Sequence, residues 1–246
     1  MRRTMDHEVE MLRYLLRQPP HVLQGLELDP KPGVTYHVSP NKTIEVFSPR
    51  KIQRTMESED ELVPRVCTGV TILDCIRGYA VMARDYLKDR ATCAGDDDWL
   101  GGYTLYAIPY QSSVFPKPSM APMAKWCRER WLVDYLEEEQ QYPAQQVGKF
   151  FIQAIKIQKD DHAINVEVDI YLEIFGDQEV PWDNTLGLLK GFHHFSIPFF
   201  DSYYSNRYQQ QEIRYEAITR EAYETWKKRK AALLNYDGAP DWTSRW

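Results

Sequence analysis

The stretch Val34–Lys51, VTYHVSPNKTIEVFSPRK, sets an aromatic ring, a histidine and a serine on one short strand and closes it with prolines. Successive side chains of a strand point to opposite faces, so Tyr36 and Val38 share one face while His37 and Ser39 share the other. The first pair suits a core. The second pair either meets solvent or lines a site, and the flanking sequence has to decide between them.

Upstream, Met5–Gln18 carries Val9, Leu12, Leu15 and Leu16 at helical spacing and ends at Pro19 and Pro20, which predicts one helix laid against the body. Pro30, Pro32 and Gly33 make a turn before the opening strand. Downstream, a short strand over Val66–Gly69 changes period at Thr71. Ile72, Cys75, Ile76, Tyr79, Ala80 and Ala83 then predict a helix with Thr71 as N-cap and Asp74 in its first turn. The stretches Gln53–Leu62 and Thr92–Gly102 read as loops by composition. YTLYAIPY, from Tyr103, restores strand alternation, and the prolines between Gln111 and Ala124 predict irregular chain.

RERWLVDYL, from Arg128, and VGKFFIQAIKIQ, from Val147, read as two further strands. AINVEVDIYLEIFG, from Ala163, pairs most simply with the second of them as an antiparallel hairpin through Lys159–His162. An aromatic segment follows, and a helix is expected from about Gln210 to Leu234. The fold class is α+β: a mostly antiparallel sheet with few helices and long connections. The expected organisation is an N-terminal helix and linker over 1–29, a core over 30–155, and a C-terminal extension over 156–246 that either stands apart or completes one extended domain.

The 246 residues are 43% hydrophobic and 27% charged, enough for a substantial core. A net charge of −6 and a pI near 5.6 argue against a non-specific nucleic-acid coat, which needs clustered Lys and Arg. The basic run WKKRK, Trp226–Lys230, reads as a solvated helix end, and it is also the cluster able to touch nucleic acid or an acidic partner. Cys67, Cys75, Cys93 and Cys127 form no C-x-x-C pair and read as reduced, buried thiols. His193 and His194 are adjacent and so point apart on a strand, which disfavours a shared metal. No apolar run approaches a membrane span and no signal-peptide core is present, so the chain is expected to be cytoplasmic. Dinucleotide, P-loop and nucleophile-elbow motifs are all missing.

Four stretches stand in order along the chain: YHVSP from Tyr36, the Pro-Arg pair at Arg50, PRVCTGVTILDCI with Arg65, and FPKPSMAPMAKWCRERWL with Glu129. In this order they resemble a group of small phage and bacterial proteins with a Y-H-[IV]-S-P start. That start is similar to the first motif of ADP-ribosyltransferase-like folds of the His-Tyr-Glu type. The resemblance spans roughly the first 150 residues and implies an ADP-ribosyltransferase-like core with NAD as substrate.

Under that resemblance His37 bonds the adenine-side ribose, since a neutral imidazole both donates and accepts. Glu129 binds the nicotinamide-side ribose and stabilises the oxocarbenium-like transition state as nicotinamide leaves. Tyr79, Tyr103 and Tyr106 are the alternatives for stacking on nicotinamide. Tyr36 and Ser39 line the cofactor, and Arg50 and Arg65 clamp its pyrophosphate. Cys127 stands where many such enzymes have an acid two positions before the glutamate, so transfer to arginine is not implied. The acceptor would be a host protein, a nucleic acid or water, with homo-oligomerisation open. The reading requires His37 and Glu129 to face one cleft.

The rival reading, from a different class, is a non-catalytic binding protein or inhibitor of a host complex acting through an aromatic surface such as HHFSIPFFDSYY, from His193. A structural phage component is the third.

Overall fold

In the computed structural model the described residues are 6–51, 59–77, 98–125, 127–160, 163–202, 205–210 and 213–234. They build one mixed α+β fold around an eleven-stranded sheet whose strand pairs are antiparallel.

The strands of this sheet in chain order are β1 (Leu26–Asp29), β2 (Gly33–Ser39), β4 (Arg65–Gly69), β5 (Asp98–Tyr110), β6 (Ser113–Pro116), β7 (Glu129–Val133), β9 (Gln145–Asp160), β10 (Ala163–Ile174), β13 (Gly191–Ser202), β14 (Ser205–Gln210) and β15 (Arg214–Ile218). Their spatial order is β1-β6-β7-β4-β2-β5-β9-β10-β13-β14, with β15 also on β13. Two short ribbons, β3 (Val46–Phe47) with β8 (Tyr142–Pro143) and β11 (Val180–Pro181) with β12 (Gly187–Leu188), lie off the sheet. The helices are α1 (His7–Leu16), α2 (Pro20–Gly25), α3 over residues 72–77, and α4 (Arg220–Leu234). Among the described residues no helix is long and apolar enough to cross a membrane.

The expected β9–β10 hairpin forms, running from Ala163↔Asp160 to Ile174↔Gly148. Because β9 pairs with β5 on its other edge, the sheet runs without a break across residue 155, and the C-terminal segment adds strands to the same sheet. Three expectations are corrected. Ser113–Pro116, expected to be irregular, is strand β6; Pro116 is tolerated because it is the last residue of the strand, opposite Leu26. The loop expected over Thr92–Gly102 gives way to strand from Asp98. The C-terminal helix starts at Arg220, not Gln210: Arg214–Ile218 is a strand, and Thr219 Oγ1 accepts the Ala222 N–H at 3.1 Å as a helix cap.

Residues opposite one another in an antiparallel ladder share a face, so the registers divide the sheet in two. One face carries Tyr36, Val38, Leu105, Phe150, Leu172 and Phe195, covered by α3 through Ile72, Leu73 and Ile76 and by Trp182, whose ring lies 3.5 Å from that of Phe195. On the same face Trp131 and Val133 meet Met11, Tyr14, Leu15 and Val22 of α1 and α2. The other face holds Val66, Ile108, Tyr110 and Leu132 beneath Phe47 and Tyr142 of the ribbon. Farther along that face, α4 lays Tyr223 and Trp226 against Phe151 and Phe192.

Candidate functional site

The decisive junction is between β2 and β4. One Cα pair, Tyr36↔Gly69, joins these strands, whereas β2 pairs with β5 along seven residues and β4 with β7 along five. On either side of that one pair, side chains add to the seam. Thr35 Oγ1 donates to the Gly69 carbonyl at 2.8 Å, and His37 Nδ1 lies 2.8 Å from the Cys67 carbonyl. A carbonyl only accepts, so Nδ1 of His37 carries the proton. Two successive inward carbonyls of β4 are thus satisfied from alternate residues of β2. The histidine in the opening stretch earns its place as a clasp across a split sheet.

The ring of His37 also meets Phe47 edge-on at 4.6 Å, and Phe47 in turn meets Tyr106 at 5.7 Å. Burial, with a smaller push from the Arg50 charge, holds the imidazole down at about 4, against the bond to the Cys67 carbonyl. Its neighbours on this face are occupied as well. The Tyr106 hydroxyl donates to the Asn41 carbonyl at 2.8 Å and accepts the Ile44 N–H at 3.1 Å, while Ser39 Oγ accepts the Asn41 N–H at 3.1 Å. Together they fasten the loop after β2.

Glu129 lies on the opposite face. It stands across from Gly69, which stands across from Tyr36, so Tyr36, Gly69 and Glu129 form one row, and His37, next to Tyr36, points away from it. The Thr35 and Thr68 hydroxyl oxygens lie 2.8 Å apart, which fixes the same parity, because Thr68 is opposite Arg130. The shared cleft expected for His37 and Glu129 is not formed.

Glu129 Oε1 accepts from Trp131 Nε1 at 2.7 Å, and the Cys67 thiol bonds it too. Burial raises the carboxyl above its ordinary range against these bonds and the nearby Arg65 charge. Gly69 makes the spot tight: a Cβ there would lie 2.8 Å from the Cys75 backbone nitrogen at the start of α3. The three described thiols on this side, Cys67, Cys75 and Cys127, are all pushed up by burial, Cys127 to about 12, which makes them poor nucleophiles.

The other expected site residues divide between the faces. Arg65, expected to clamp a pyrophosphate, has a fully buried side chain lying 3.9 Å over the Trp131 ring. Its guanidinium donates to the Asp60 and Val63 carbonyls at 2.8 and 3.2 Å and to Glu59 at 3.1 Å. Arg50 is exposed, and its backbone pairs with that of Arg65. Tyr36 and Tyr103 share the Glu129 face but are buried, Tyr36 with its hydroxyl raised to about 12 by burial and Tyr103 against Phe150 at 5.5 Å. Tyr79 lies outside the described residues. Among the described residues no group of three or more His, Cys, Asp or Glu is placed to hold a metal ion.

Thr71 and Asp74 form the expected helix start: Asp74 Oδ2 accepts the Thr71 N–H at 3.1 Å and hydroxyl at 2.7 Å, and Thr71 Oγ1 accepts the Asp74 N–H at 3.3 Å. Sequence reasoning missed what Asp74 also does, which is to receive Arg128 through Nε at 3.2 Å and Nη2 at 3.1 Å and so tie α3 to the start of β7. It also missed Arg130. This buried guanidinium reaches Asp29 at 2.7 Å, Ser113 at 2.7 Å and the Tyr110 hydroxyl, and lies over the Tyr110 and Phe115 rings. The alternation of RERWLV carried the signal, since an arginine between two core residues of a strand must find partners on the far face.

Replacing Glu129 with Gln tests the electrostatics of this site. A carboxyl with a raised folded value contributes stability below about pH 4.5 and loses it as pH rises through the folded value. Glu129→Gln keeps an acceptor for Trp131 and removes that loss, so its melting temperature should equal or exceed that of wild type at pH 8, with the gap closing toward pH 4. A variant less stable than wild type at pH 8 would show that the ionised carboxylate is needed.

Comparison with protein-family models, curated proteins and solved structures returns no significant match.

Proposed function

We propose that the chain is a non-catalytic binding protein that engages a protein partner through an aromatic surface. The observation that carries this reading is the placement of His37 and Glu129 on opposite faces, each held by internal partners. Cleaving the nicotinamide–ribose bond requires a ribose-binding group and an ionised carboxylate converging on one ligand. Here the imidazole serves the backbone of β4, and burial favours the neutral form of the carboxyl.

The surface differs from the one expected. In HHFSIPFFDSYY, His193, Phe195 and Ile197 are buried, so these side chains belong to the core and not to a surface. Half-buried rings lie on the other face of the sheet instead: Phe151, Tyr171, Phe192 and Trp226, with Tyr171 and Trp226 stacked at 3.9 Å. Arg220 sits 5.7 Å above Phe192, and Lys227 5.9 Å above Phe151. Aromatic residues and arginine are the types enriched in the cores of protein–protein interfaces, which favours a protein as the occupant.

Thermal melts with millimolar NAD, run beside a nicotinamide-release assay, test the reading. No melting shift and no release are expected, because a ligand stabilises a fold only by binding it. Nicotinamide release that Glu129→Gln abolishes would overturn the proposal.

A further inference from the structure

Helix α1 is apolar on two sides. Met11, Tyr14 and Leu15 are buried against the sheet, yet Val9, Leu12 and Leu16 point outward at 38%, 43% and 72% exposure. Their spacing of three and four residues makes them one continuous outer stripe. A helix that is apolar on both sides normally has both sides covered.

A second pattern identifies the cover. Asp6, Glu10, Arg13 and Arg17 follow one another at intervals of four, three and four, so they form a charged row along one flank of the stripe. The row is acidic in its N-terminal half and basic in its C-terminal half. Such a row is complementary to itself when reversed. An antiparallel copy of α1, related by a two-fold axis at Leu12, sets Val9 against the partner's Leu16, Leu12 against the partner's Leu12, Glu10 against the partner's Arg13, and Asp6 against the partner's Arg17. A parallel copy would set like charges together.

We propose that the chain self-associates through the outer face of α1 as an antiparallel, two-fold symmetric helix pair. The contact is isologous, so it closes at two copies. The existing surface ion pairs, Arg13 with Glu10 at 2.5 Å and Arg17 with Glu137 at 3.0 Å, are exposed and exchange partners at small cost. With a handful of apolar side chains from each copy the interface falls below the standard size, so the dimer is weak and dependent on concentration. It stands independently of the aromatic surface, which α1 does not contact.

Sedimentation velocity from micromolar to millimolar concentration tests it. Wild type is expected to shift from monomer to dimer, and Leu16→Glu, at the most exposed of the three positions, to stay monomeric with unchanged circular dichroism. Charge variants report the geometry. Arg13→Glu alone repels itself at both Glu10 contacts, and Glu10→Lys alone repels itself at both Arg13 contacts, so each is expected to be monomeric. Their equimolar mixture restores both pairs and should dimerise as wild type does. Wild type that stays monomeric at millimolar concentration overturns the proposal. So does dimerisation of either charge variant alone, or a mixture that fails to associate, since each would place any contact elsewhere.

Discussion

Arg65→Ala is expected to destabilise the fold by about 3–5 kcal/mol, the usual cost of removing one member of a buried ionic and hydrogen-bonded set. For a chain of this length that is a fall in melting temperature on the order of 10 °C. Three groups lose a donor at once: the Asp60 and Val63 carbonyls and the Glu59 carboxylate. The Trp131 ring also loses the cation that covers it, leaving a gap in the cluster that seats α1 and α2. Arg65→Lys should recover little of the loss, because an ammonium cannot lie flat on the indole while forking to three oxygens. The measurement is chemical denaturation of wild type, both variants and Glu59→Gln. Glu59 is partly exposed, so its variant should cost less than Arg65→Ala. An Arg65→Ala protein that melts within a degree or two of wild type would mean that the guanidinium is free to serve a ligand, and the pyrophosphate role would return.

The division of β2 into two faces was legible in its own residues. Tyr36 and Val38 pack in the core, and His37 and Ser39 point the other way, as a period of two requires. Which of those faces Glu129 shares was not legible, because it depends on the register of β2 on β4 and of β4 on β7, across strands separated by long loops. A slip of one residue at either junction would have put His37 and Glu129 together. Arg65 was misread for a related reason: its buried position depends on Trp131, sixty-six positions away in sequence. The late helix start is a different case. Ile213, Tyr215 and Ala217 alternate, and that signal was locally present before the helical charges of REAYETW. Motif order carried the family resemblance, but order along the chain does not fix which side of a sheet a residue faces.

His37 should make the protein acid-sensitive in a window set by its own titration. In the unfolded chain the imidazole takes its proton near pH 6.5, whereas in the fold it resists protonation down to about 4. Between those values the unfolded state binds a proton that the native state does not, so stability falls as pH falls across the window and levels off below it. At pH 4.5 the term amounts to about 2.5 kcal/mol, and above pH 7 it is negligible. Other groups titrate in the same range with mixed signs. His193 is lowered by burial and acts in the same direction, while His194 is raised by its bonds to Asp169 and Glu216 and Glu129 is raised by burial, so both oppose it. The comparison is therefore between wild type and His37→Gln, whose amide still offers a donor to the Cys67 carbonyl but carries no titrating proton. Urea denaturation at pH 7.5 and 4.5 should show wild type losing about 2.5 kcal/mol more than the variant over that interval. His37→Ala provides the structural arm. It leaves the Cys67 carbonyl without its donor and should cost about 1–3 kcal/mol even at neutral pH, which separates the clasp from the titration. Equal acid sensitivity in wild type and His37→Gln would mean that the imidazole takes up its proton in the folded chain as readily as in water. The seam between β2 and β4 would then be open enough to admit a ligand, and the clasp could not be what holds His37 in place.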